Sequence, residues 1–174
     1  MSPQKIDLIN YLEGARFIER PLSVPSCVLD TNVVLDILLF ADKKTEPIRQ
    51  LLSSGKLLAL GHYDTFYEFA DVISRSQFKL TESQIKEKLH AWIKLHWLIN
   101  EPLPTEGYCK DHDDDKFFNL ARLCSAQYLI SKDKKVLKAK GKAKIVNVSH
   151  NDPCNISSCR AARAVCFSVC VSVI

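Results

Sequence analysis

Four acids in five residues, Asp111, Asp113, Asp114 and Asp115, open the stretch CKDHDDDKFFNLARLCSAQYLISKD, and a further acid, Asp133, closes it. Carboxylates grouped without clustered His or Cys are hard oxygen donors. The chemistry such types support is that of a hard divalent cation, Mg²⁺ or Mn²⁺ rather than zinc. Phe117, Leu120, Ala121 and Cys124 follow at i, i+3, i+4 and i+7, the spacing of a helix. Tyr128-Leu129-Ile130 then predicts a short buried strand, ended by Ser131-Lys132-Asp133. Acids thus begin a helix and another stands where a strand stops, and in open α/β sheets ligands gather at the carboxyl ends of strands. The same placement suits plain helix capping, for which carboxylates are favoured. The stretch alone leaves both uses open.

Two more acids stand at comparable places. Cys27-Val28-Leu29 is a short apolar strand running straight into Asp30-Thr31-Asn32, after which Val33, Val34, Ile37, Leu38 and Phe40 suit a buried helix. Asp30 is either that helix's N-cap or a carboxylate projecting from a central strand end, oriented by Thr31 and Asn32, and the triplet does not choose. Asp64, Glu68 and Asp71 share one side of a second helix whose apolar face is Tyr63, Phe66, Tyr67, Ala70 and Ile73. Solvation accounts for Asp64 and Asp71, and Glu68 is the central acid of the three. His62, a lone histidine at the preceding turn, reads as structural, because metal sites want histidines in clusters.

The elements that would position these acids alternate between strand and helix. Residues 1–25 predict a helical N-terminal extension, from Ile6, Ile9, Tyr11, Leu12 and Phe17, closed by Pro21 and Pro25. Residues 45–54 predict a short helix with Thr45 as cap and Gly55 as terminator, and Leu57-Leu58-Ala59-Leu60 a second strand. Thr81-Glu82-Ser83-Gln84 fits the capping box, opening a helix through Ile85, Leu89, Trp92, Ile93 and His96. Trp92 and Trp97 could stack on bases, but helical spacing favours the core. Trp97-Leu98-Ile99 predicts a third strand, a lysine-rich helix starts near Lys134, and residues 144–148 predict a last strand. The expected fold is α/β, a three-layer α/β/α arrangement around a mostly parallel sheet of four to five strands. The expected division is an extension at 1–25, an α/β domain at 26–148 and an atypical tail at 149–174.

A chain of 174 residues, 47% hydrophobic and 25% charged, is sized and composed as one globular domain. Its net charge of +4 demands no nucleic-acid partner by itself. Seven lysines between Lys132 and Lys144 form either a solvated face or a phosphate-binding rim. Cys27, Cys109 and Cys124 sit among apolar residues as small hydrophobes; no CxxC spacing, secretory signal or membrane-length apolar run occurs, so a cytoplasmic, non-membrane setting is expected.

With these sites identified, the sequence resembles the PIN domain family of metal-dependent ribonucleases, and within it the prokaryotic branch described as toxins of toxin–antitoxin pairs. Cys27 to Val33 resembles that family's opening strand and first catalytic Asp. Tyr67-Glu68-Phe69, with Val72-Ile73-Ser74-Arg75 and Phe78, resembles its second acidic position. Cys109 to Phe118 resembles the Asp-rich run before a helix, with Asp115 in the third position and Asp113 its rival. Ser131 and Asp133 fall 16 and 18 residues later, as the family's Ser/Thr-x-Asp does. The resemblance implies Mg²⁺ or Mn²⁺ held by Asp30, Glu68, Asp115 and Asp133, with Thr31, Asn32 and Ser131 orienting them and Lys132, Lys134, Lys135 and Lys138 meeting the RNA backbone. It further implies RNA hydrolysis to a 5′-phosphate and a 3′-hydroxyl, a cognate antitoxin and a homodimer. A housekeeping RNA-processing nuclease and a catalytically silent RNA- or protein-binding domain are the rival functions. An aspartyl-phosphate enzyme is disfavoured, because the haloacid-dehalogenase pattern wants a second Asp where Asn32 stands. The Cys-rich tail departs from the family and reads either as an altered 3′ end or as an edge strand at 164–174; His150, Cys154 and Cys159 form a weak soft-metal set.

Overall fold

Parallel strands covered on both faces are short and apolar on both sides, and the central strands of the sheet read that way. The structure, a computed structural model, describes residues 8–18, 22–110 and 112–143. The strands β1 (Arg16–Phe17), β2 (Ser26–Leu29), β3 (Leu58–Gly61), β4 (His96–Leu98) and β5 (Tyr128–Ile130) form one all-parallel sheet in the order β1–β4–β3–β2–β5. The helices are α1 (Thr31–Leu35), α2 (Glu46–Ser53), α3 (Tyr63–Ile73), α4 (Glu82–Leu95), α5 (Asp115–Leu123) and α6 (Lys134–Ala143). The α/β architecture expected from the alternating pattern is the one observed.

Side chains alternate across each strand and build two cores. Cys27, Leu29, Ala59, Leu98 and Ile130 face a cluster filled by α1, α3 and α4, including Phe66, Phe69, Leu89, Trp92 and Ile93. Val28, Leu60 and Leu129 face a second cluster with Phe117, Phe118 and Leu120 of α5 and Val136 and Ala139 of α6. Trp92 is 1% exposed, which assigns it to the core and not to a base-stacking surface. Its packing requires Gly61: a Cβ there would stand 2.7 Å from Trp92 Cη2 and 2.9 Å from His96 Cβ. Cys27, Cys109 and Cys124 are buried free thiols, and burial pushes the Cys27 thiol far up.

Four local expectations need correction. The described part of residues 1–25 is not a helical arm: Leu8–Tyr11 is one 3₁₀ turn, Gly14 (φ +75) reverses the chain, and Arg16–Phe17 joins the sheet edge. What resembled helical periodicity is one anchor, Tyr11, packed against the Phe66 and His90 rings. The helix after Asp30 passes into a π-helical turn over Asp36–Phe40, leaving Phe40 57% exposed. His96 belongs to β4, not to the helix before it, and Thr45 places no side-chain cap on α2. Thr81 and Gln84 do form the expected capping box. The strand expected at 144–148 and the tail lie outside the described residues. Among the described residues no helix is long and apolar enough to cross a membrane.

Candidate functional site

The chain passes from β2 to β3 and β4 on one side, while β5 returns on the other side of β2. The crevice at the carboxyl ends of β2 and β5 is therefore a topological switch point, where open α/β sheets hold ligands. Asp30 follows β2 there, and its amide donates to Ile130 O at 2.9 Å. Asp30 caps α1, and its second carboxylate oxygen is held by Ser131 rather than by Thr31. Its Oδ1 accepts from the Asn32 amide at 3.4 Å as the N-cap of α1, and its Oδ2 accepts from Ser131 Oγ across the sheet. The residue is 3% exposed. Burial pushes its pKa above the ordinary value; the bonds from Ser131 and Asn32 oppose the rise, and the charges of Glu68 and Asp133 add to it.

Glu68 reaches the same crevice from α3. His62 starts that helix: its Nδ1 accepts from the Asp64 amide at 3.2 Å, which leaves Nε2 as the donor to Glu101 O at 3.1 Å. Burial lowers the His62 pKa, and these bonds make the ring the cap of α3, in line with its reading as a structural histidine. Thr31 Oγ1 donates to Glu68 Oε1 at 2.6 Å, and the Lys116 ammonium contacts Glu68 Oε2. Thr31 thus orients Glu68 rather than Asp30, while Asn32 acts through its amide and its side chain is exposed. Asp64 and Asp71 are at the rim, Asp71 paired with Arg75 at 2.8 Å.

An open cleft of about 730 Å³ is lined by Asp30, Thr31, Glu68, Asp113, Asp114 and Lys116 among others. Asp115 is not among its lining residues. Its Oδ1 accepts from the amides of Tyr108 (2.8 Å) and Cys109 (2.7 Å), and its Oδ2 lies 2.9 Å from His112 Nδ1. Burial works against the Asp115 charge, but those amides and the His112 ring outweigh it, and its pKa falls below the ordinary value. Asp113, the rival for the third position, lines the cleft and is exposed; Asp111 lies outside the described residues.

Asp133 lines an adjoining cleft with Asn32, Leu35, Asp36, Phe40, Lys132, Lys134 and Lys135. Its amide donates to Ser131 Oγ at 2.9 Å, and its Oδ1 accepts from the Lys135 amide at 2.6 Å. Ser131 therefore joins Asp30 to the loop carrying Asp133. Lys132 is paired with the buried Asp36, and Lys134, Lys135 and Lys138 are exposed, Lys138 on a part of α6 that lines neither cleft.

Among the described residues, no three His, Cys, Asp or Glu side chains stand ready to hold a metal ion. The donor chemistry nevertheless fits a hard cation. Asp30 is a buried carboxylate whose charge two neighbouring carboxylates disfavour, and a cation placed among them would relieve that repulsion. Lys116, Asp36 and His112 are partners that the acidic motifs alone do not single out. Lys116 had a signal, a base directly after the acid run in the first turn of α5; Asp36 stood out as one acid inside VVLDILLF.

Compared with known proteins, residues 26–135 match the PIN domain family. No curated protein matches the chain.

Proposed function

The chain belongs to the PIN domain family, a nuclease-type fold, and from that premise we propose that it is a divalent-metal-dependent endoribonuclease. The observation that carries the reading is Asp30, buried at the switch point with its charge disfavoured by Glu68 and Asp133. Asp30, Glu68 and Asp133 would hold Mg²⁺ or Mn²⁺. The remaining acid is Asp113 or Asp115, and Asp113 is favoured because it lines the cleft while both Asp115 oxygens are engaged. When bound, the metal supplies polarisation of the scissile phosphate and a lowered pKa for a coordinated water. The protein's part is placement: Ser131 fixes Asp30, and Thr31 fixes Glu68. Lys134, Lys135 and Lys138, with Lys132, would meet the RNA backbone. Hydrolysis would break the P–O3′ bond, leaving a 5′-phosphate and a 3′-hydroxyl.

The sequence resemblance supports a toxin role, with a cognate antitoxin and a homodimer as partners; a housekeeping RNA-processing nuclease shares the same site. A second reading, a catalytically silent RNA- or protein-binding domain, is favoured by one observation, the full engagement of Asp115 with the loop at Tyr108 and Cys109. Incubation of a mixed single-stranded RNA pool with the full chain and Mn²⁺ separates them. Cleavage that needs Mn²⁺ and is lost in Asp30→Asn supports the nuclease. Intact RNA, with folded protein that still binds it, supports the silent domain.

A further inference from the structure

Glu68 is held at both of its oxygens, by Thr31 on Oε1 and by the Lys116 ammonium on Oε2. Lys116 projects from the first turn of α5 into the cleft that Asp30, Glu68, Asp113 and Asp114 line. The Lys116 and Glu68 side chains are each 23% exposed, so the pair is partly shielded from solvent. The neighbouring bases point elsewhere: Arg75 pairs with Asp71, Arg122 with Glu106 and Lys132 with Asp36. Lys116 therefore brings a positive charge to a carboxylate beside Asp30, at a place where two acids otherwise repel.

We propose that Lys116 is a built-in counter-ion for Glu68 that competes with a divalent cation for the same carboxylate. The inference rests on the reading of this cleft as a metal site. While the ammonium holds Oε2, that oxygen is unavailable as a ligand, and a dication entering the cleft meets the repulsion of a fixed positive charge. When a dication takes Glu68, the ammonium is released inside the same cleft, where the matching ligand is a phosphate oxygen of the substrate. Lys116 thus lowers metal affinity and couples metal entry to the availability of a phosphate-binding cation.

Mn²⁺ binding to the full chain without RNA, followed by calorimetry or electron paramagnetic resonance, tests this in wild type, Lys116→Gln, Lys116→Arg and Asp30→Asn. Lys116→Gln should bind Mn²⁺ roughly tenfold or more tightly, since even water-like screening leaves a like-charge repulsion of that size at about 5 Å. Lys116→Arg, which keeps the charge, should stay within a few-fold of wild type. Merely losing a structural contact would not tighten metal binding. Unchanged or weaker binding in Lys116→Gln overturns the inference, as does equal tightening in Lys116→Arg. If wild type binds Mn²⁺ and Asp30→Asn does not, the metal reading stands whichever way Lys116 falls. Silence in both wild type and Lys116→Gln overturns the two together.

Discussion

Asp30 and Asp115 are both buried acids at helix starts, 3% and 6% exposed, yet their surroundings treat the charge in opposite ways. Asp30 has one hydroxyl and one long amide contact to set against burial and two nearby carboxylates, and its pKa is pushed up. Asp115 gathers two short amide bonds and a histidine, and its pKa is pulled down. One carboxylate is left in deficit at a strand end; the other anchors the loop before α5. The lesson is that acid identity and helix-start position do not define a ligand. An acid held in deficit is available to a cation, whereas one saturated by the backbone serves the fold.

The largest effect that would sharpen this contrast is on turnover. Asp30→Asn should cut metal-dependent RNA cleavage by well over the roughly 100-fold expected for a group that acts through another ligand. The same substitution should raise the melting temperature of the metal-free protein, because it removes a charge that the fold disfavours. A melting curve beside a cleavage time course checks both signs.

Asp115→Ala should do the reverse. Leaving the Tyr108 and Cys109 amides without an acceptor costs about 3 kcal/mol, on the usual penalty for unpaired buried donors, and chemical denaturation reads it directly. If Asp115→Ala instead leaves stability untouched and abolishes cleavage, the contrast fails. Asp113→Asn, at an exposed position, should change stability by no more than about 0.5 kcal/mol while lowering cleavage. Ser131→Ala should reduce cleavage by about 10- to 100-fold, acting only through Asp30 and the Asp133 loop.

The smallest effect is on pH dependence. Asp115 has a depressed folded pKa, so its contribution is present above the ordinary carboxylate range and is lost as pH falls through the folded value. Asp30 has a raised one, so its ionisation draws on stability as pH rises through that range. Denaturation between pH 3 and pH 7 (from about one unit below the usual carboxylate span to about three units above it) should show a shallower acid loss in Asp115→Ala than in wild type. It should also show a steeper gain toward neutrality in Asp30→Asn.

Much of this was legible in the chain. Short apolar runs bounded by turn residues marked β2, β3 and β5, because buried parallel strands are apolar on both faces. Helical periodicity put Glu68 on one side of α3 and Trp92 in the core. The two-residue strand Arg16–Phe17 was not legible: both side chains are exposed, and its place is fixed by pairing with Trp97 and Leu98, far away in sequence. The destination of the Asp115 carboxylate was hidden for a similar reason. Its partners are backbone amides in an irregular loop, and amides carry no sequence signature. The Lys116–Glu68 pair joins two helices across 48 positions, which spacing within either helix does not reveal.

The central claim is that the deficit at Asp30 is what a divalent cation fills. The most direct measurement is the melting temperature of the full chain titrated with Mn²⁺, wild type against Asp30→Asn. Wild type should start lower and rise with Mn²⁺, as binding to the folded state requires, while Asp30→Asn should start higher and stay flat. An equal rise in both proteins would contradict the account, because the cation would then be binding somewhere other than Asp30.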